Sequence, residues 1–133
     1  MVKLKLSKVS GLLFLDIGLW SVKELKFRNL AILLDTGASV TTISDQILSS
    51  LGYTNTGSSV VVTTASGAIK VISKNVDKIQ IGTIELDNID VYAHIFPDEC
   101  FSYGVLGMNV LSLYNFRVDL DALVIELEPR KTA

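Results

Sequence analysis

Cysteine and histidine occur once each in these 133 residues, as Cys100 and His94. A lone cysteine cannot close an internal disulfide, and no Asn-x-Ser/Thr acceptor site is present, so a cytoplasmic address is the expectation. Cys100 is read as a small loop or core residue and not as a nucleophile. A single histidine with no second nitrogen or cysteine partner disfavours a metal site and a serine or cysteine triad alike. No metal and no cofactor are expected. Twelve Lys and Arg against 14 Asp and Glu give a formal net charge of −2, with the basic residues scattered. That distribution offers no stripe for nucleic acid. No apolar run reaches the roughly 18 to 20 residues of a membrane span. The greasiest stretch, 11–20, is interrupted by Asp16, and no small-residue cleavage site follows a basic start, so neither a membrane partner nor a secretory signal is expected.

What is present is an apolar-leaning globular balance, 49% hydrophobic and 20% charged. This length suits one domain, residues 1–133, with a single hydrophobic core. Excess apolar surface in so small a domain makes oligomerisation an expectation from composition alone. Short alternating or apolar runs recur throughout, as strands do. They include Val2 to Leu6 with Lys3 and Lys5 on the exposed face, Leu12 to Leu15, and Trp20 to Phe27. Arg28-Asn29 reads as a turn into a further strand ending at Leu34. Ser44 reads as the N-cap of a short helix carrying Ile47, Leu48 and Leu51 on one face, with Gly52 as its stop. Tyr53 to Ser59 reads as a polar loop. Hairpins are expected over 60–71 and over 78–86, the second turning at Gly82-Thr83. Ile89, Val91 and Ala93 mark another strand, and 96–100 breaks the pattern. A helix is expected from about Met108, and a last hairpin, 116–128, turns through Asp121-Ala122. Many short strands with two short helices indicate a mainly β, barrel-like domain.

One segment carries chemistry. Asp35-Thr36-Gly37-Ala38-Ser39 follows the apolar run Leu30 to Leu34 and leads into Val40 to Ile43. A carboxylate set directly after a buried strand is costly unless it is paired or used. A turn aspartate before a flexible glycine is also common, and chance alone would place Asp-Thr-Gly in such a chain about 3% of the time. Two downstream features add weight. Val60 to Val71 reads as a hairpin with the small-residue tip Thr63-Thr64-Ala65-Ser66-Gly67, and Val105-Leu106-Gly107 is a second apolar–apolar–Gly block running into the helix-like 108–114.

In that order, over roughly residues 25 to 128, these landmarks resemble the retropepsin-like aspartic proteases. The resemblance implies an acid-protease barrel with one lobe per chain. It implies Asp35, Thr36 and Gly37 as the catalytic loop, with Thr36 hydrogen-bonding across a two-fold axis and Gly37 presenting its N–H to the carboxylate. Ala38 would keep the cleft floor small. Thr64, Ala65, Ser66 and Gly67 would belong to a flap closing on substrate, and Val105 and Leu106 would line and support the site beside Gly107. Retroviral relatives often carry Asp where this chain has Ser39 and Arg where it has Met108, so a charge pair that braces the dimer there is missing here.

Peptide hydrolysis without metal or covalent intermediate needs one group to take a proton from water and another to protonate the carbonyl oxygen. Two carboxyl groups a hydrogen bond apart do both. The chain supplies one candidate, because Asp119-Leu120-Asp121-Ala122 lacks the Thr-Gly that would shape such a loop. The second carboxyl must then come from Asp35 of another copy. The expected function is that of a homodimeric aspartic endopeptidase acting on an extended peptide. Two alternatives remain open on the sequence: a non-catalytic dimerisation or peptide-binding module of the same fold, and an unrelated β-barrel with a chance turn aspartate.

Overall fold

A computed structural model describes residues 1–54, 57–65, 67–94 and 104–131. Ser66, Cys100 and the pattern break at 96–100 lie outside the described residues.

Alternation in the sequence sets the first long strand. In β3 (Leu12–Ser21) Leu15, Ile17 and Leu19 point inward and are almost wholly buried, while Asp16 between them is exposed. The charge that interrupts the greasiest stretch therefore sits on the outer face. β2 (Ser7–Val9) pairs with the start of β3, and β4 (Lys26–Leu34) runs antiparallel to β3 from Ser21↔Lys26 to Phe14↔Leu33.

The expected turn at Arg28-Asn29 is not there. Both residues lie inside β4, opposite Leu19 and Gly18, and the chain reverses at 22–25 instead. Ser21 accounts for this: its carbonyl receives the Leu25 N–H at 2.9 Å and its Oγ receives the Glu24 N–H at 3.0 Å. Trp20 and Phe27 then face each other across the pair, edge to face with ring centroids 5.2 Å apart. The alternation through Trp20 to Phe27 belongs to two strands and the turn joining them.

Two expected hairpins prove to share one strand. β7 (Gly67–Ile81) runs unbroken for 15 residues. Its first half pairs with β6 (Ser58–Thr64), and its second half pairs with β8 (Ile84–His94) across the Gly82-Thr83 turn. It also touches β3 through Gly18↔Gln80 and Leu19↔Ile79. That last contact closes the sheet. Around the ring the order is β3, β4, β9 (Gly104–Leu106), β5 (Thr42–Ser44), β8, β7 and back to β3. The β6–β7 hairpin projects beyond the ring as an extension.

A smaller sheet completes the fold, with β11 (Val124–Pro129) between β1 (Val2–Lys5) and β10 (Tyr114–Asp119). Ile125 and Leu127 are buried in the core, while Lys3 and Lys5 face outward as their alternation requires. The helices are short: α1 (Asp45–Ser50) and α2 (Met108–Leu111). Ser44 occupies the N-cap of α1 without a side-chain cap bond, and Leu48 and Leu51 anchor the helix in the core. α2 stops at Leu111, ahead of the expected 114, because Tyr114 already pairs with Pro129. The fold is mainly β, a barrel with two short helices, as the sequence suggests. Among the described residues no helix is long and apolar enough to cross a membrane.

Candidate active site

The site forms where β9 threads between β4 and β5. β9 runs parallel to β4 through Leu33↔Val105 and Leu34↔Leu106, and antiparallel to β5 through Thr42↔Val105. The loop 35–41 that joins β4 to β5 must therefore pass over the end of β9, which places Asp35 at the mouth of the crossing. The Asp35 N–H donates to the Leu106 carbonyl at 3.2 Å and continues the ladder one step past the last pair.

The loop then turns tightly. The Gly37 N–H donates to Asp35 Oδ1 at 2.9 Å, and the Ala38 N–H reaches the Asp35 carbonyl at 3.3 Å. Asp35 is half-buried, whereas Thr36 and Gly37 are exposed at the tip. Among the described residues no cation pairs with the Asp35 carboxylate. A carboxylate held by one backbone N–H and left without a counter-charge is available for chemistry.

Behind the loop, the second glycine block grips it from below. The Met108 N–H donates to the Ala38 carbonyl at 2.7 Å and the Asn109 N–H to the Ser39 carbonyl at 3.0 Å. Ser39 and Met108, which lack the charges of retroviral relatives, thus lie in segments joined through backbone bonds. Gly107 is buried, and a Cβ there would stand 2.6 Å from the Val40 carbonyl carbon and 2.8 Å from the Thr41 nitrogen. Only glycine allows the two segments to come this close.

Residues grouped by sequence as substrate-facing separate on exposure. Ala38 and Val105 are half-buried beside Asp35, but Leu106 is fully buried. A side chain with no accessible surface cannot touch a peptide, so Leu106 acts through its carbonyl and through the core. Thr64 pairs with Gly67 at the end of the β6–β7 hairpin, Ala65 is in the turn and exposed, and Gly67 takes a φ of +121°. The other turn rich in carboxylates goes a different way. Asp119 Oδ1 accepts the N–H groups of Asp121 and Ala122, both at 3.0 Å, within the β10–β11 connection. These bonds, the Ala122 one foremost, hold its carboxyl below the usual range.

Two contributors were missed by sequence reasoning. Thr41 is fully buried, and its hydroxyl accepts the Gly107 N–H at 3.0 Å while donating to Asn109 Oδ1 at 2.8 Å. Asn109 in turn donates through Nδ2 to the Asp90 carbonyl of β8 at 2.9 Å. A Thr placed just after the Asp-Thr-Gly loop and an Asn two residues past the second Gly were the available signals.

Comparisons with known proteins give a family and a fold. A family model described as "Aspartyl protease" matches residues 22–110, which hold the loop, the hairpin and the second glycine block. Among solved structures, the crystal structure of a retropepsin-like aspartic protease from Rickettsia conorii matches with a TM-score of 0.65 at 22% identity, over 93% of this chain and 88% of that one. At that identity the likeness is one of fold. No curated protein sequence gives a match.

Proposed function

The chain belongs to the aspartyl protease family, and from that premise we propose that it is a homodimeric aspartic endopeptidase whose active site is completed by a second copy. The observation that carries the reading is the half-built site: Asp35 sits partly open at the strand crossing, oriented by the Gly37 N–H, with no second Asp-Thr-Gly in the chain. A two-fold axis through the loop tips brings two such carboxyls together.

Like charges at hydrogen-bond distance do not both ionise, so the pair holds one proton, an effect for which aspartic proteases are the standing illustration. The ionised carboxylate takes a proton from water as the oxygen attacks the peptide carbonyl. The protonated partner donates to the carbonyl oxygen, and the two exchange roles as the amine leaves. Thr36 at the exposed tip bonds to the partner's loop, and Gly37 lets the backbones approach. Ala38 and Val105 face the peptide. The β6–β7 hairpin, with Thr64, Ala65 and Gly67 at its end, lies over the peptide as added strands and excludes water. The substrate is an extended peptide, and the address is cytoplasmic.

Replacement of Asp35 by Asn tests the proposal. Asp35→Asn is expected to abolish cleavage of a proteome-derived peptide library while the dimer, measured by analytical ultracentrifugation, persists. Wild-type activity should also fall more steeply than linearly on dilution, because dimers dissociate by mass action. Cleavage by the Asn variant at the wild-type rate would refute the mechanism. Peptide binding without cleavage at any pH between about 3 and 7, the range carboxyl groups titrate over, would instead assign the fold a purely binding role.

A further inference from the structure

The β6–β7 hairpin leaves the barrel over a buried lysine. Lys74 is the charged member of the buried polar set among the described residues, with its side chain 8% exposed. Its Nζ lies 2.9 Å from Asp45 Oδ1 and donates to the Tyr53 carbonyl, also at 2.9 Å. Its position in β7 is specific. Ile72 and Ser73 pair with both β6 and β8, and Lys74, one step past the last β6 pair Ser58↔Ser73, pairs with Val91 of β8 alone. Lys74 therefore stands at the hinge line between the projecting hairpin and the closed barrel.

Both of its partners bear on the hairpin's other root. Asp45 opens α1, and Tyr53 opens the segment that leads into β6. Tyr53 is itself pinned at three points. Its N–H donates to the Leu48 carbonyl at 2.9 Å, its hydroxyl donates to the Trp20 carbonyl at 2.6 Å, and the same hydroxyl accepts the Asp77 N–H at 3.2 Å. At Gly57, between Tyr53 and β6, a Cβ would fall 1.7 Å from the Ser73 carbonyl oxygen, so the incoming backbone lies directly on β7. The ammonium thus ties the outgoing strand, the incoming segment and α1 into one joint.

A buried ammonium is a costly way to fill space, and an apolar side chain of similar volume often serves stability as well or better. What an apolar replacement lacks is direction: an ammonium with two acceptors fixes the relative placement of the groups that carry them. We propose that Lys74 is a positioning residue that sets the angle at which the β6–β7 hairpin leaves the barrel, and thereby how well the hairpin closes on a peptide. The second half of this inference rests on the proteolytic reading; the first half does not.

Amide hydrogen exchange on the full-length protein tests the joint directly, with Lys74→Met, Lys74→Arg and Asp45→Asn compared against wild type. Lys74→Met is expected to speed exchange about tenfold across the 58–71 hairpin, as a local opening does, while β10 and β11 keep wild-type protection. Lys74→Arg should restore most of that protection. Asp45→Asn, at a half-exposed site, should act in the same direction and more weakly. With a peptide cleaved from the proteome-derived library, Lys74→Met should raise KM several-fold and leave kcat within about twofold, the signature of lost binding geometry. Faster exchange spread evenly over all strands, an unchanged hairpin, or a fall in kcat at constant KM would overturn the proposal. Should the wild-type protein cut no peptide at all, the proteolytic reading fails, and the exchange pattern alone still decides whether the joint exists.

Discussion

Thr41 and Asn109 stand 68 positions apart and share one carboxamide oxygen: the Thr41 N–H and its hydroxyl both donate to Asn109 Oδ1 at 2.8 Å. Through the Gly107 N–H on one side and the Asp90 carbonyl on the other, this pair links the Asp-Thr-Gly loop, the second glycine turn and β8. The Asp-Thr-Gly loop is short and its tip is exposed, so its shape depends on being held from behind. This clasp does so with neutral groups alone.

Thr41→Val keeps the shape of the buried side chain and removes its hydroxyl. The Gly107 N–H then loses its acceptor in a buried setting, at a cost of about 1–3 kcal/mol. Urea denaturation should show a lower midpoint with an unchanged m-value, the mark of a stability loss without a change in the surface exposed on unfolding. Peptidase activity should fall with it.

Gly107→Ala should be worse for the site than its single methyl suggests. Backbone atoms of Val40 and Thr41 occupy the space a Cβ needs, the nearest at 2.6 Å. Backbone cannot swing aside as a flexible side chain does, so the strand crossing must open. The expected result is a destabilisation of about 1–3 kcal/mol or more, with Asp35 displaced and cleavage lost. A thermal melt together with a cleavage assay on the same preparation checks both.

Tyr53→Phe separates two contributions at one residue. Loss of the hydroxyl leaves the Trp20 carbonyl and the Asp77 N–H without their partner, which should cost about 1–2 kcal/mol near neutral pH. Burial raises the Tyr53 phenol above its ordinary 10.0, the Asp77 N–H bond opposes that rise, and the Asp77 charge adds to it. A phenol raised in the folded state contributes stability in full below the unfolded value. That contribution is lost as the pH climbs through the folded value. Unfolding free energy should therefore decline less steeply above about pH 10 in Tyr53→Phe than in wild type. Tyr114, raised by its own burial, contributes a slope of the same sign in both proteins.

The parts of this molecule legible in its sequence are those fixed by local chemistry. Asp35-Thr36-Gly37, the small-residue tip of the hairpin over 60–71 and the second glycine block each announce themselves within a few residues, and their order points to the fold. The features the sequence does not show depend mostly on partners far along the chain, the turn at 22–25 being the local exception. Nothing in Trp20 to Phe27 shows that Ser21 will receive Glu24 and Leu25 and move the turn away from Arg28-Asn29. Their turn residues alone suggest separate hairpins over 60–71 and 78–86. Only the three-way pairing of β7 shows that one strand serves both. Tyr53 reads as part of a polar loop because its hydroxyl partners, Trp20 and Asp77, are 33 and 24 positions away. Lys74 gives no local sign of burial, since its acceptors come from α1 and the segment after it.

Subunit mixing tests most directly whether each chain contributes half of the acid–base pair. Wild-type protein and Asp35→Asn would be combined in varying ratio at fixed total concentration, allowed to exchange partners, and assayed for peptide cleavage. If both carboxyls are required, activity falls as the square of the wild-type fraction, to about a quarter at an equal mixture by random pairing. A straight-line decline, to about half at that mixture by the same counting, would mean that each subunit works alone and would contradict the account.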